Sequence, residues 1–164
     1  MELGIGMFGD LRINEKTGYK QTPQERLEEI LEEVKLMDEV GLDFFGIGEH
    51  HRPDYSVSSP EIVLAAAAAV TKNIKLGSAV SVISSTDPVK LYQDFSMIDN
   101  ISNGRAEIMA GRGSFIESFP LFGSTVSGSH LTEILAVTLQ CLQRREIRHL
   151  WLPMSGRRSS TALQ

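Results

Sequence analysis

What the chain lacks narrows the field first. It has one cysteine, Cys141, in 164 residues. No internal disulfide can brace it, and a reducing, cytoplasmic setting is expected, with the thiol read as inert. No apolar run approaches the roughly 20 residues that cross a bilayer, so no membrane is expected as a partner. The opening Met1-Glu2-Leu3-Gly4 has none of the basic residues that begin a secretory signal. An excess of basic residues is missing too: 16 Lys and Arg face 21 Asp and Glu, a net charge of -5. Nucleic acid is therefore not an expected partner, because binding a phosphate backbone wants a basic face.

The charge that is present is unevenly spread. Residues 1–123 carry 11 Lys and Arg against 19 Asp and Glu, whereas residues 124–164 carry five Arg, no Lys and no Asp, against two Glu. Such a break marks a domain boundary, a basic tail, or a stretch translated in the wrong frame.

Up to residue 113 the chain alternates strand-like and helix-like segments. Glu2–Phe8 reads as a short buried strand, followed by a polar loop over Asp10–Gln21. Thr22-Pro23-Gln24-Glu25 carries a capping box with proline at the first helical position. Leu27, Ile30, Leu31, Val34 and Met37 then recur at helical spacing, and Gly41 is a natural stop. Asp43–Gly48 is a second strand, ending in Glu49-His50-His51. Ser59-Pro60-Glu61 opens a second helix, whose Ala65–Ala69 run suits close packing on a sheet. Ile74–Ile83 is a third strand. Asp87-Pro88 opens a third helix with Leu91, Phe95, Ile98 and Ile101 inward, closed by Asn103-Gly104. Ala106–Ala110 is a fourth strand, ending in Gly111-Arg112-Gly113. Alternation of this kind predicts a parallel sheet with right-handed crossovers. A doubly wound sheet and part of a (β/α)8 barrel both satisfy it.

In either architecture a ligand lies beyond the carboxyl ends of the strands. Polar and ionisable groups collect there from four separate segments. Glu49-His50-His51 is suited to proton transfer, to a metal, or to a satisfied structural pair, and no H-E-x-x-H or Cys/His spacing accompanies it. Arg112 between two glycines suits a phosphate or carboxylate, or else a nearby acid. Gly4-Ile5-Gly6-Met7-Phe8-Gly9 fits G-x-G-x-x-G only as a string. Its glycines fall within a strand and no helix opens on them, which a dinucleotide fingerprint requires.

At these strand ends the sequence resembles the bacterial-luciferase-like monooxygenases. The matching pieces stand in that family's order: GIGMFGD at 4–10, GEHH at 48–51, LGSAVSVISSTDPVKLYQDFSMIDNISNGR at 76–105, and IMAGRGSFIESFPLFG at 108–123. The resemblance implies a partial (β/α)8 TIM barrel of about four N-terminal βα units. It implies reduced flavin (FMN) as cofactor, with a deazaflavin coenzyme as the alternative, and a small-molecule substrate, dioxygen and a flavin reductase as partners. By position it makes His50 the active-site histidine and Arg112, with Gly113, the group that meets the flavin phosphate. Glu49 and Ser81 border the cofactor. The third strand should carry a non-proline cis peptide under the flavin ring, at Ala79–Val80.

The pattern departs from the family after Gly123. Residues 1–123 are expected to be the N-terminal half of the barrel, and 124–164 an atypical basic tail, with a shifted reading frame as the leading account. Leu131–Leu142 has helical spacing, His149–Leu152 could form a short strand, and Ser155–Gln164 reads as disordered. Four parallel strands leave two open edges, so the chain is expected to self-associate and to lack activity on its own.

Overall fold

A computed structural model of the chain describes residues 1–83, 85–111, 121 and 122. Arg112, Gly113 and every expectation for 124–164 lie outside those residues.

Strands and helices alternate along the chain. Strand β1 is Gly4–Met7, helix α1 is Pro23–Glu39, β2 is Phe44–Ile47, α2 is Pro60–Val70 and β3 is Lys75–Ser78. Then come β4 (Ser81–Val82), α3 (Pro88–Ser102), β5 (Ala106–Glu107) and β6 (Ala110–Gly111). All pairings between these strands are parallel, in the order β1-β2-β3-β5, with β4 beside β6. A sheet whose spatial order follows the chain order, with α2 packed between α1 and α3, is how successive units of a β/α barrel are laid down.

The helix boundaries follow from local chemistry. The Thr22 hydroxyl accepts from the Glu25 N–H, and the Glu25 carboxylate accepts from the Thr22 N–H at 2.8 Å, with Pro23 opening the helix. Asp87 caps α3 by accepting from the N–H groups of Val89 and Lys90, both at 2.9 Å. Asn103 in the left-handed conformation ends it. Ser59 precedes α2 without a side-chain cap bond.

Alternation along the strands sorts two faces. Phe45, Ile47 and Leu76 point to the helices and form one core with Ile30, Val34, Leu64, Ala67, Leu91, Phe95 and Ile98. Ile101, expected inward, is 52% exposed. Arg26, on the core-facing side of α1, is buried instead; its guanidinium pairs with Glu33 at 3.1 Å and Glu29 at 3.3 Å. The opposite face of the sheet carries Phe44, Gly46, Lys75, Gly77 and Glu107. There Lys75 lies between Glu2 at 3.2 Å and Glu107 at 3.3 Å.

The third and fourth strands are each shorter than their apolar runs suggest, because both are interrupted. Gly77 pairs with Glu107 and Ser81 with Ala110. Four residue steps on one strand thus span three on the other, a bulge of one residue. The Ala79–Val80 peptide inside the bulge is cis, as the resemblance implied. Ser78 bridges the gap: its hydroxyl accepts from the Met109 N–H at 3.2 Å and donates to the Met109 carbonyl at 3.4 Å.

Candidate active site

The ends of β1, β2 and β3 meet at Gly48. The Gly48 N–H donates to the Met7 carbonyl at 2.9 Å, and the Ala79 N–H to the Ile47 carbonyl at 2.8 Å. A Cβ on Gly48 would stand 2.5 Å from two atoms of the Phe8 ring and 2.8 Å from the Ala79 carbonyl oxygen. Only a residue without a side chain lets the three strands close here. Phe8 therefore lies against bare backbone, with its ring half exposed.

His50 follows directly and is 6% exposed. Its ring is held between two aromatics, Phe8 edge-on at 5.2 Å and Tyr55 stacked at 4.1 Å. The Arg52 guanidinium lies 5.7 Å from the centre of the Tyr55 ring and is tied to Asp54 through two bonds of 2.9 and 2.7 Å. This loop is fastened to the one after β1. The Ser56 N–H and hydroxyl both donate to the Gly9 carbonyl, at 2.8 and 2.9 Å. Gly9 has a φ of +68°, and a Cβ there would run into Val57 at 2.6 Å.

Glu49 turns to the other side. One carboxylate oxygen lies 3.3 Å from His51 Nε2, and the other accepts from the Val82 N–H at 3.4 Å. Burial pushes the Glu49 carboxyl above the ordinary carboxylate range. Bonds from His51 and Val82 pull it back without cancelling the rise, and the nearby Glu61 adds to it. Glu61, in the first turn of α2, is also pushed up, chiefly by burial and further by Asp94, with its own N–H and Lys90 opposing. His51 meets Phe122 edge-on at 5.1 Å.

On β4, Ser81 is fully buried. Its N–H donates to the Met109 carbonyl at 2.9 Å, yet its hydroxyl has no hydrogen-bond partner among the described residues. A Cβ on Gly111 would touch Val80 at 2.6 Å, so the end of β6, next to Arg112, adjoins the cis peptide. The fold thus gathers Glu49, His50, Ala79, Val80 and Ser81 at one end of the sheet. Sequence reasoning did not single out Tyr55, because nothing in its spacing says that it will stack on a histidine. It also passed over His51 as a site residue in favour of His50, although the Glu-x-His spacing was there to be read. Among the described residues no group of three or more His, Cys, Asp or Glu is placed to hold a metal ion.

With this geometry in hand, the chain matches the family described as luciferase-like monooxygenase over residues 5–150. The chain belongs to that family. The match runs on past Gly123, so the likeness extends beyond the strand-end motifs. It is 28% identical over 142 residues to the oxygenase component of the flavin-dependent trigonelline monooxygenase of Acinetobacter baylyi, covering 84% of this chain and 37% of that protein. The oxygenating constituent of 3,6-diketocamphane monooxygenase from Pseudomonas putida, solved with FMN, shares the fold. Its TM-score is 0.70 at 23% identity, covering 87% of this chain and 38% of that one. The coenzyme F420-dependent tetrahydromethanopterin reductase of Methanopyrus kandleri is similar at TM-score 0.57 and 25% identity, covering 76% and 30%. The chain spans about two fifths of the length of the first curated relatives it matches. Its architecture is accordingly part of a luciferase-like TIM barrel.

Proposed function

We propose that this chain seats reduced flavin mononucleotide at the ends of its strands, as part of a monooxygenase that oxidises a small organic substrate with dioxygen. A flavin reductase supplies the reduced cofactor in this reading, and the setting is the cytoplasm. The observation that carries it is the buried Ser81 hydroxyl, without a partner among the described residues, next in the chain to the Val82 N–H that binds the Glu49 carboxylate, in a member of this family. A buried hydroxyl left unpaired costs about 1–3 kcal/mol, and a ligand with polar ring edges relieves it. The half-exposed Phe8 at the same strand ends adds an apolar wall. A polar edge with an apolar wall is what a flat heteroaromatic ring needs.

When bound, the flavin supplies the two-electron chemistry and the reaction with dioxygen. The chain's own groups do the rest. Glu49 and Ser81 hydrogen-bond the ring edge, and the Ala79–Val80 backbone supports it. Arg112, with Gly113 leaving the backbone open, binds the phosphate as a planar two-pronged donor. His50, with its plane set by Phe8 and Tyr55, handles the proton of the substrate.

Titrating the full chain with FMN and with riboflavin, by flavin fluorescence, tests this. Saturable quenching is expected, and Arg112→Ala should weaken FMN by about 10- to 100-fold while leaving riboflavin unchanged. No quenching by either flavin would overturn the reading. A second reading, a deazaflavin-dependent hydride transfer, is favoured by the likeness to the coenzyme F420-dependent reductase. Binding of that coenzyme in place of FMN would select it. The remaining alternative is a non-catalytic half-barrel that self-associates. A monodisperse monomer in sedimentation removes it.

A further inference from the structure

Glycine inside a strand weakens it, so its presence there has a reason: a close approach, a bend, or room for a ligand. For most glycines of this chain the reason is on view. A Cβ on Gly4, Gly46, Gly48, Gly77 or Gly111 would stand 2.5 to 2.8 Å from its nearest neighbouring atom, and Gly9, Gly18, Gly41 and Gly104 have a positive φ. Gly6, inside β1, is alone among the described glycines in having neither. Its φ is not positive, and a Cβ built on it meets nothing within 4 Å.

The space over Gly6 is a notch in the face of the sheet turned from the helices. Gly6 is in register with Gly46 of β2 and precedes Phe8 by two residues, which sets it about 7 Å deeper along the strand. The two rings that could fill the notch lean away from it. Phe8 reaches over Gly48, and Phe44 over Gly46 and Gly77, where the Ala79 methyl also crowds Gly46. Phe8, Phe44 and Ala79 thus border the notch, and none of their side chains carries a donor or acceptor. Among the described residues the one charge in register at this level is Glu107, three strands away on β5 and paired with Lys75 at 3.3 Å. Such a border accepts an uncharged apolar group and penalises a polar one.

Resting on the flavin reading above, we infer that the notch at Gly6 receives a compact apolar group of the substrate, a branched alkyl or cycloalkyl end, and that Gly6 determines which substrates fit. The reacting end of the substrate stays at the strand ends beside the flavin, and its apolar end points down the sheet past Phe8. Because a Cβ has clearance at this position, Gly6→Val should fill the notch without moving its neighbours, and valine favours strands.

The test uses the full chain as wild type and as Gly6→Val, with cyclohexanol as the probe and 1,4-cyclohexanediol as its polar counterpart. Thermal unfolding and FMN titration come first. Gly6→Val should be at least as stable as wild type and should bind FMN equally well. A less stable Gly6→Val means that another part of the chain already occupies the notch, and a markedly lower FMN affinity means that the flavin does; either overturns the proposal. Amide NMR then follows the probes. In the FMN-bound wild type, cyclohexanol should shift the Gly6 amide saturably without displacing the flavin. The diol should bind about tenfold more weakly, and Gly6→Val should weaken cyclohexanol by about tenfold or more. Equal binding of cyclohexanol to both proteins, shifts confined to other residues, or release of FMN decides against the notch. A wild type that binds no flavin defeats the flavin reading and not the notch, which the same shifts in the flavin-free chain then judge on their own.

Discussion

Single side chains in this molecule do the joining that strands alone cannot. Asp38, near the end of α1, reaches across to the turn that leads into β3. Its two carboxylate oxygens accept from the N–H groups of Lys72 at 2.7 Å, Asn73 at 2.8 Å and Ile74 at 2.7 Å. Burial pushes this carboxyl up, but the three backbone donors, with help from the Arg105 charge, outweigh it and hold it below the ordinary aspartate range. A lowered folded-state value means stability that is present above the unfolded value and lost as pH falls through the folded one. Asp38→Asn keeps the shape but loses the charge, so it should cost about 1–3 kcal/mol at neutral pH. The cost should shrink in acid, below the usual aspartate range. Denaturant unfolding at both pH values measures it, and an equal loss at both would show that charge is not what matters.

Much of the candidate site is legible in the amino-acid order at this same scale, though unequally. Glu49 and His50 stand where the second strand runs out, and that end can be read from where its apolar run stops; Ala79, Val80 and Ser81 fall inside the apolar run Ile74–Ile83 and were legible only through the family resemblance. Tyr55 was not legible. Its value comes from a loop folded back by the Ser56–Gly9 bonds, and loop paths leave no periodic trace. The pairing of Glu49 with His51 rather than with His50 likewise depends on the turn after Ile47, where strand alternation no longer decides which way a side chain points.

Between elements, Arg105 is the main knot. Its guanidinium donates to the carbonyls of Ile74 at 2.7 Å, Ser102 at 2.8 Å, Thr71 at 3.1 Å and Ala68 at 3.2 Å, and to the Thr71 hydroxyl at 2.9 Å. Those groups belong to the end of α2, the approach to β3 and the end of α3. Helix ends leave carbonyls without partners inside the helix, and here one forked cation serves two of them. Arg105→Ala should cost about 2–4 kcal/mol, and Arg105→Lys nearly as much, because a point ammonium cannot span the fork. Thermal unfolding checks this; a lysine variant close to wild type would mean that charge alone suffices. Helices α1 and α3 were readable from Thr22-Pro23, Asp87-Pro88 and Asn103-Gly104. Their caps are local chemistry, formed by residues adjacent in the chain. The bulge that splits the third and fourth strands was not readable as a split. It exists only as a mismatch between two strands, four steps against three, and no single segment contains it.

At the scale of the whole molecule, alternation of strands and helices left two architectures open, and the ordered strand-end motifs pointed to the barrel. The sheet order β1-β2-β3-β5 agrees with that choice, since a doubly wound sheet reverses direction at a switch point. On the face turned from the helices, Gly6, Gly46 and Gly77 stand side by side in register. Across these three strands that level has no side chains of its own, and the ring of Phe44 covers part of it. A Cβ on Gly46 or Gly77 would meet that ring at 2.8 or 2.7 Å. Gly77→Ala should therefore destabilise by about 1–3 kcal/mol. Combining it with Phe44→Leu should cost less than the two changes added together, a coupling that a double-mutant cycle reads directly. Strict additivity would show that the ring does not rest there. The two glycines and the phenylalanine form one shape divided between neighbouring strands, so drift at any of these positions is constrained by the others, and replacing the ring with a smaller side chain would open a hollow over the bare backbone of β2 and β3.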